Sequence, residues 1–223
     1  MKTILYLGSD PPHFSAEGRV IHYPVITIVP RSLDSPEIKN AFEKIAQYTH
    51  VLFTSKNGVK VFFDLFDQLH FSRDILIKKQ ILAIGRVTAY ALSSYAIFPN
   101  YIAKEETQEG MIELLERMDL TEAFLFLPRS SLSRPKILDY LIERKISHRT
   151  CDLYDTVAQK LLPVPDLETV DEIVFTSPST VDAFFKIYPC IPENKNAVAI
   201  GPITSEYLAL RLSRNYPNLS SNQ

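Results

Sequence analysis

One pattern occurs twice in this chain, and it limits the folds available to it. Val51-Leu52-Phe53-Thr54-Ser55-Lys56-Asn57-Gly58-Val59, followed by Ile81-Leu82-Ala83-Ile84-Gly85-Arg86-Val87-Thr88, has a second copy further along. The copy is Ile173-Val174-Phe175-Thr176-Ser177-Pro178-Ser179-Thr180-Val181, then Ala197-Val198-Ala199-Ile200-Gly201-Pro202-Ile203-Thr204. Each half is a short apolar, β-branched run, a break at Thr/Ser or Gly, and a helical spacing of apolar residues. Such junctions build parallel sheets, because parallel neighbours need a crossover long enough to hold a helix. The chain therefore reads as an α/β protein of two similar parallel-sheet lobes made by internal duplication, with the repeats offset by about 120 residues.

A length of 223 residues is enough for two small cores. Charged residues make up 22% and the net charge is -2, which gives no electrostatic case for a nucleic-acid partner. The opening run Ile4 to Leu7 stops at Gly8-Ser9-Asp10, too short for a signal peptide or a membrane span. Cys151 and Cys190 form neither a disulfide framework nor a metal pattern, which points to a reducing cytoplasm. The histidines, His13, His22, His50, His70 and His148, lack metal-binding spacing, and no Gly-rich phosphate or dinucleotide loop is present. Neither a metal nor a cofactor is expected.

In chain order the lobes interleave. Ile4 to Leu7 reads as a first strand and Val20 to Val29 as a second, despite Pro24. Pro30 to Pro36 reads as a linker, with Ser35 as N-cap and Pro36 at the first helical position. Strands follow at His50 to Phe53, Ile81 to Ile84, Tyr101 to Ala103, Ala123 to Leu127 and His148 to Leu153. Pro128 to Ser131 reads as a loop, and Ser133 as the cap of the next helix. The Pro-punctuated stretch Lys160 to Pro165 returns the chain to the first lobe, completed by strands Val170 to Phe175 and Ala197 to Ile200 and their helices. Lobe one is thus 1–33 plus 162–223. Lobe two is 34–161, inserted into it through a two-stranded linker. Two crossings of the waist imply a hinge with a cleft beside it.

Parallel sheets hold ligands at the carboxyl ends of their strands, where helix N-termini present unpaired N–H groups. The residues so placed are Ser55 and Lys56, Arg86 and Thr88, Arg129 with Arg134, Ser177 and Ser179, and Thr204. Lys56, Arg86, Arg129 and Arg134 would make a neutral-to-basic surface suited to carboxylates, with Asp10 the exception. Each residue also has a purely structural reading. The serines can serve as helix caps, Thr88 and Thr204 can bond back to the strand end, and Tyr154 can be a packed aromatic. Residue types alone leave both readings open.

Several segments, taken in order, resemble the uroporphyrinogen-III synthase family. They are Phe53-Thr54-Ser55 with Asn57-Gly58-Val59, Ala83-Ile84-Gly85 with Thr88-Ala89, and Leu127-Pro128-Arg129-Ser130 with Arg134. Leu153-Tyr154-Asp155-Thr156, Phe175-Thr176-Ser177-Pro178-Ser179, and Ala199-Ile200-Gly201-Pro202 with Thr204 complete the set. The resemblance implies a cofactor-free lyase of haem biosynthesis that closes a linear tetrapyrrole, hydroxymethylbilane, into uroporphyrinogen III with ring D inverted. It implies that Tyr154 assists departure of the hydroxyl and that Ser55, Thr88 and Thr204 line the cleft, with Ser177 the repeat partner of Ser55. A monomer is expected, with transient handover of substrate from hydroxymethylbilane synthase. The sequence departs from the family near its start, where Gly8-Ser9-Asp10 and a short His13-to-Gly18 segment replace a polar Thr-Arg loop and a full helix. The alternative is a bilobed module that binds an anionic metabolite without transforming it.

Overall fold

The structure is a computed structural model that describes residues 1–10 and 18–215. The short segment after Asp10 and the polar tail lie outside the described residues. In chain order the elements begin β1 (Thr3–Tyr6), β2 (Arg19–His22), β3 (Ile26–Pro30), α1 (Pro36–Glu43), β4 (His50–Phe53), α2 (Lys56–Gln68) and α3 (Asp74–Ile77). They continue with β5 (Gln80–Ala83), α4 (Arg86–Ser93), β6 (Tyr101–Ile102), α5 (Gln108–Leu115), β7 (Phe124–Ser130), α6 (Lys136–Glu143) and β8 (Ser147–Ala158). A 3-10 turn, Leu167–Thr169, leads to β9 (Glu172–Phe175), α7 (Pro178–Ile187), β10 (Asn196–Ala199) and α8 (Pro202–Asn215).

The chain divides into two compact units, Met1–Ile28 with Thr156–Gln223, and Val29–Asp155. A four-stranded sheet has the order β10-β9-β1-β2, and its pairs are all parallel. A six-stranded sheet has the order β3-β8-β7-β4-β5-β6. The two copies of the repeat fold alike. In one, β4 pairs with β5 from His50 opposite Gln80; in the other, β9 pairs with β10 from Glu172 opposite Asn196. The order β10-β9-β1-β2 therefore recurs as β5-β4-β7-β8. The first unit holds its matching strand pairs in swapped chain order, as insertion of one copy inside the other requires.

The division falls inside β3 and β8 and not in the Pro-rich segments on either side. The Arg31 N–H donates to the Leu153 carbonyl at 2.8 Å and the Gln159 N–H to the Val25 carbonyl at 2.8 Å, so the two segments run antiparallel through the boundary. Residues just past Asp155 belong to the first unit, where the Tyr23 hydroxyl donates to the Leu161 carbonyl and the Gln159 amide to the Pro24 and Ile26 carbonyls. Pro24 also corrects the single strand expected over Val20 to Val29. Tyr23 still donates to Tyr6 at the end of β1 and Val25 to Leu7 just beyond it, but Pro24 has no N–H, and the chain leaves that ladder to pair with β8.

Two further expectations change. β7 runs on through Pro128, Arg129 and Ser130, because its pairing with β8 continues past the last recorded β4 partner, Phe126. Pro128 is tolerated there because no ladder partner on the β4 side requires its missing donor. Ser133 does not cap α6. The Leu132 and Ser133 N–H groups bond back to Ser130, and the helix starts after Pro135 with no side-chain cap. Ser35 precedes α1 without a side-chain bond, whereas Ser55, Thr107 and Ser177 each accept from the third residue on.

Strands covered on both faces are apolar without alternation, and β4 is buried along its whole length. The Val29–Asp155 unit has an aromatic interior centred on Phe62. Its ring lies 5.5 Å from Phe42, 5.2 Å from Phe53, 5.1 Å from Phe63, 5.4 Å from Phe66 and 6.2 Å from Phe126. The other unit packs Leu5, Leu7, Ile173, Phe175, Val181 and Phe184 into a core of its own.

Candidate active site

The β4–α2 junction is built by a serine that must end one element and start the next. Ser55 has extended backbone geometry, and its Oγ accepts the Gly58 N–H at 2.9 Å, satisfying one of the unpaired donors of the first turn of α2. The same oxygen lies 2.9 Å from the Tyr154 hydroxyl. The phenol therefore sits at the positive end of a thirteen-residue helix. Gly58 leaves room for the pair: a β-carbon there would stand 3.1 Å from Ser55 Oγ and 4.0 Å from the Tyr154 ring.

Tyr154 reaches this place through an irregularity in β8. Arg129 stands opposite Asp152, but Ser130 stands opposite Tyr154, so Leu153 has no partner on β7. In an uninterrupted ladder Leu153 would face Ser130. The extra residue moves Tyr154 into that position, which is how a bulge re-aims a side chain. Tyr154 is 3% exposed, and burial raises its phenol above the usual value, partly offset by hydrogen bonds with Ser55 and Ser130. It holds its proton across the neutral range, and the half-buried Ser55 is the more accessible member of the pair.

Charged groups flank the bulge. Arg31 donates to Asp155 from Nε at 3.0 Å and from Nη2 at 2.9 Å, and Ser131 Oγ donates to Asp155 at 2.5 Å. Arg129 Nε donates to Asp152 at 2.9 Å. Arg31, followed by Ser131, holds the Asp155 carboxyl down at about 2.

In the other unit, Ser177 caps α7 and completes a capping box with Thr180, while its Oγ lies 2.9 Å from Ser179 Oγ. Thr204, in the first turn of α8, is buried. At the ends of β1 and β2, His22 donates from Nε2 to the Gly8 carbonyl at 2.8 Å. Among the described residues no three His, Cys, Asp or Glu side chains cluster as a metal site would need. No helix among them is long and apolar enough to cross a membrane.

This fold has known counterparts. A family model described as uroporphyrinogen-III synthase HemD matches residues 15–216. The chain belongs to the uroporphyrinogen-III synthase family. The porphyrin biosynthesis protein HemD of Ruminiclostridium josui is 28% identical over 210 residues, which are 90% of this chain and 39% of that protein. A mutant uroporphyrinogen III synthase from the extremely thermophilic bacterium Thermus thermophilus superposes with a TM-score of 0.64 at 17% identity, covering 94% of this chain and 89% of that one. The uroporphyrinogen-III synthetase of Helicobacter pylori 26695 gives 0.62 at 19% identity, covering 95% and 89%. At such identities the structural likeness shows the fold.

Within this member of the uroporphyrinogen-III synthase family, the residues picked out by the sequence separate into groups. Ser55 and Tyr154 meet, and Lys56 opens α2 beside them. Arg86 opens α4 with its side chain exposed, and Thr88 is buried one turn in. The neutral-to-basic surface is corrected. Arg129 is paired with Asp152 and Arg134 is paired bidentately with Glu109, while the Glu106 carboxylate accepts the Arg86 N–H at the α4 terminus. The basic residues were visible in the sequence, but their partners are distant in it. Ser130, Ser131, Arg31 and Asp155 were missed as site residues for the same reason.

The Arg134–Glu109 pair gives a pH dependence. Arg134, then Lys136, holds the Glu109 carboxyl down at about 2 from an ordinary 4.5. A depressed carboxylate contributes stability above its unfolded value and loses it as pH falls through the folded one. Denaturant midpoints are expected to fall between pH about 4.5 and about 2, with Glu109→Gln lower at neutral pH and converging on the wild type toward pH 2. Parallel curves for the two proteins would mean that Glu109 contributes nothing to the acid limb.

Proposed function

We propose that this chain is a uroporphyrinogen-III synthase, a lyase that cyclises hydroxymethylbilane to uroporphyrinogen III and water in the cytoplasm. The observation that carries the reading is the buried phenol of Tyr154 hydrogen-bonded to the half-buried Ser55 at the N-terminus of α2. Loss of the terminal hydroxyl as hydroxide is slow unless a proton arrives as the C–O bond breaks. Tyr154, directly or through Ser55, supplies that proton, and water departs. The pyrrole nitrogen supplies the electron pair, leaving a protonated azafulvene, an azafulvenium cation, beside the phenolate. The substituted carbon of ring D attacks it to give a spiro intermediate, which fragments and recloses with ring D inverted. The proton lost at ring closure restores the phenol. Lys56, Arg86, Ser177, Ser179 and Thr204, at helix N-termini, are the proposed contacts for substrate carboxylates, with Thr88 supporting the α4 turn and Arg129 acting with Asp152. The chain acts as a monomer that takes up its substrate from hydroxymethylbilane synthase, and its unpaired Cys151 and Cys190 fit a reducing compartment.

The test generates hydroxymethylbilane in situ with its synthase, adds this protein, oxidises the products and separates type I from type III uroporphyrin by chromatography. An excess of type III is expected. Type I alone, formed at the protein-free rate by folded protein, would rule out the activity and leave a binding protein.

A further inference from the structure

The same two residues that fix the backbone at Leu153 and Tyr154 also hold the next side chain. The Arg31 N–H donates to the Leu153 carbonyl at 2.8 Å and the Ser131 N–H to the Tyr154 carbonyl at 3.1 Å. The side chains of Arg31 and Ser131 then converge from either side of β8 on the carboxylate of Asp155. On the other side of the bulge, Asp152 takes the Arg129 guanidinium at 2.9 Å, with Arg31 Nη1 at 3.9 Å. Arg129, Asp152, Arg31, Asp155 and Ser131 thus form one alternating chain of charge and hydrogen bonds around the segment that carries the phenol.

Partly exposed ion pairs of this kind add little to stability on their own. The Asp155 side chain is 41% exposed and the Arg31 side chain 34%. What a bidentate pair does supply is direction. A bulge needs direction, because β8 without the extra residue would present Leu153, and not Tyr154, to Ser130.

We infer that Asp155, gripped by Arg31 and Ser131, is a positioning residue for Tyr154: it holds the bulge of β8 in the register that aims the phenol at Ser55. The inference rests on Tyr154 being the proton donor of the proposed reaction, and it deepens that reading by naming what sets the donor's geometry. The Asp155 carboxylate bonds to Arg31 and Ser131 and not to the phenol; it acts through the backbone.

The experiment introduces Asp155→Asn, which keeps an acceptor for Ser131 and removes the charge opposite Arg31. One arm needs no activity. With ring-labelled tyrosine, the phenol carbon signal of Tyr154 is assigned by its absence in Tyr154→Phe, and it is expected to shift in Asp155→Asn. The second arm is kinetic: kcat is expected to fall roughly 10-fold with KM little changed, as for a misplaced catalytic group. In the Tyr154→Phe background, Asp155→Asn is expected to add less than about 2-fold, because its effect passes through the phenol. An unshifted signal would overturn the inference, and so would an equal kinetic cost in both backgrounds, which is what a simple tie between β3 and β8 would give. If the wild type makes no type III product, the resonance arm still decides the positioning role while the functional reading fails. Ser131→Ala, which removes one arm of the grip, makes the same comparison if Asp155→Asn does not fold.

Discussion

Tyr154→Phe is expected to lower turnover by roughly 10-fold to 10³-fold, within the range for loss of a general acid. The ring stays and only the hydroxyl goes, so the buried aromatic still fills its place beside Gly58. The lost bond to Ser55 costs about 1 kcal/mol of stability, too little to unfold a domain. Burial keeps the wild-type phenol protonated, so the proton removed by the substitution is present at any working pH near neutrality. Single-turnover formation of type III product, with circular dichroism as a control for folding, reads the effect. A variant as fast as the wild type would remove Tyr154 from the chemistry and leave it a packed ring.

The largest stability effect is expected at Phe62. Its ring meets Phe42, Phe53, Phe63, Phe66 and Phe126, so it joins α1, α2, β4 and β7 in one contact. Phe62 has no solvent exposure. Phe62→Ala should therefore lower the unfolding free energy by about 3–5 kcal/mol, as truncation of a buried aromatic removes transfer energy and leaves a cavity that five rigid rings close poorly. Chemical denaturation of the wild type and the variant measures it. A loss near 1 kcal/mol would mean that the ring cluster repacks around the gap.

Most of what depends on neighbours in sequence was readable, Ser35 and Ser133 as helix caps excepted, and the register and ion pairs that join distant strands were not. Ser55 and Ser177 announce their helices by residue type and by the spacing of the apolar stripe that follows, and each caps as expected. The duplicated strand-to-helix junctions fixed the parallel topology because both copies had to solve the same burial problem. Pro24 was present in the sequence, but only its place between two ladders shows that it diverts the chain. The bulge at Leu153 has no local signature, since it exists only in the register of β8 against β7. The same holds for the charges. Arg129 and Arg134 read in sequence as part of a neutral-to-basic surface because nothing near them reveals Asp152 or Glu109. Asp155 adjoined Tyr154 in plain sight, yet its meaning lies in Arg31, just past β3 and at the far end of the insertion.

The swapped chain order of the first unit sets a timetable for the nascent protein. β1 and β2 emerge first, but β9, the partner that completes their sheet beside β1, is synthesised only after all of Val29–Asp155. Two short strands cannot hold a sheet in water unaided, so this segment waits with its apolar residues uncovered. Meanwhile the inserted unit is a continuous stretch that can fold as it leaves the ribosome. Once it does, the bond from Arg31 to Leu153 brings the two ends of the insertion together. A closure that would otherwise span the whole insertion becomes a short one, at lower entropic cost. A lesion confined to the inserted unit, at Phe62 for instance, is thus expected to slow maturation of a unit in which that residue takes no part.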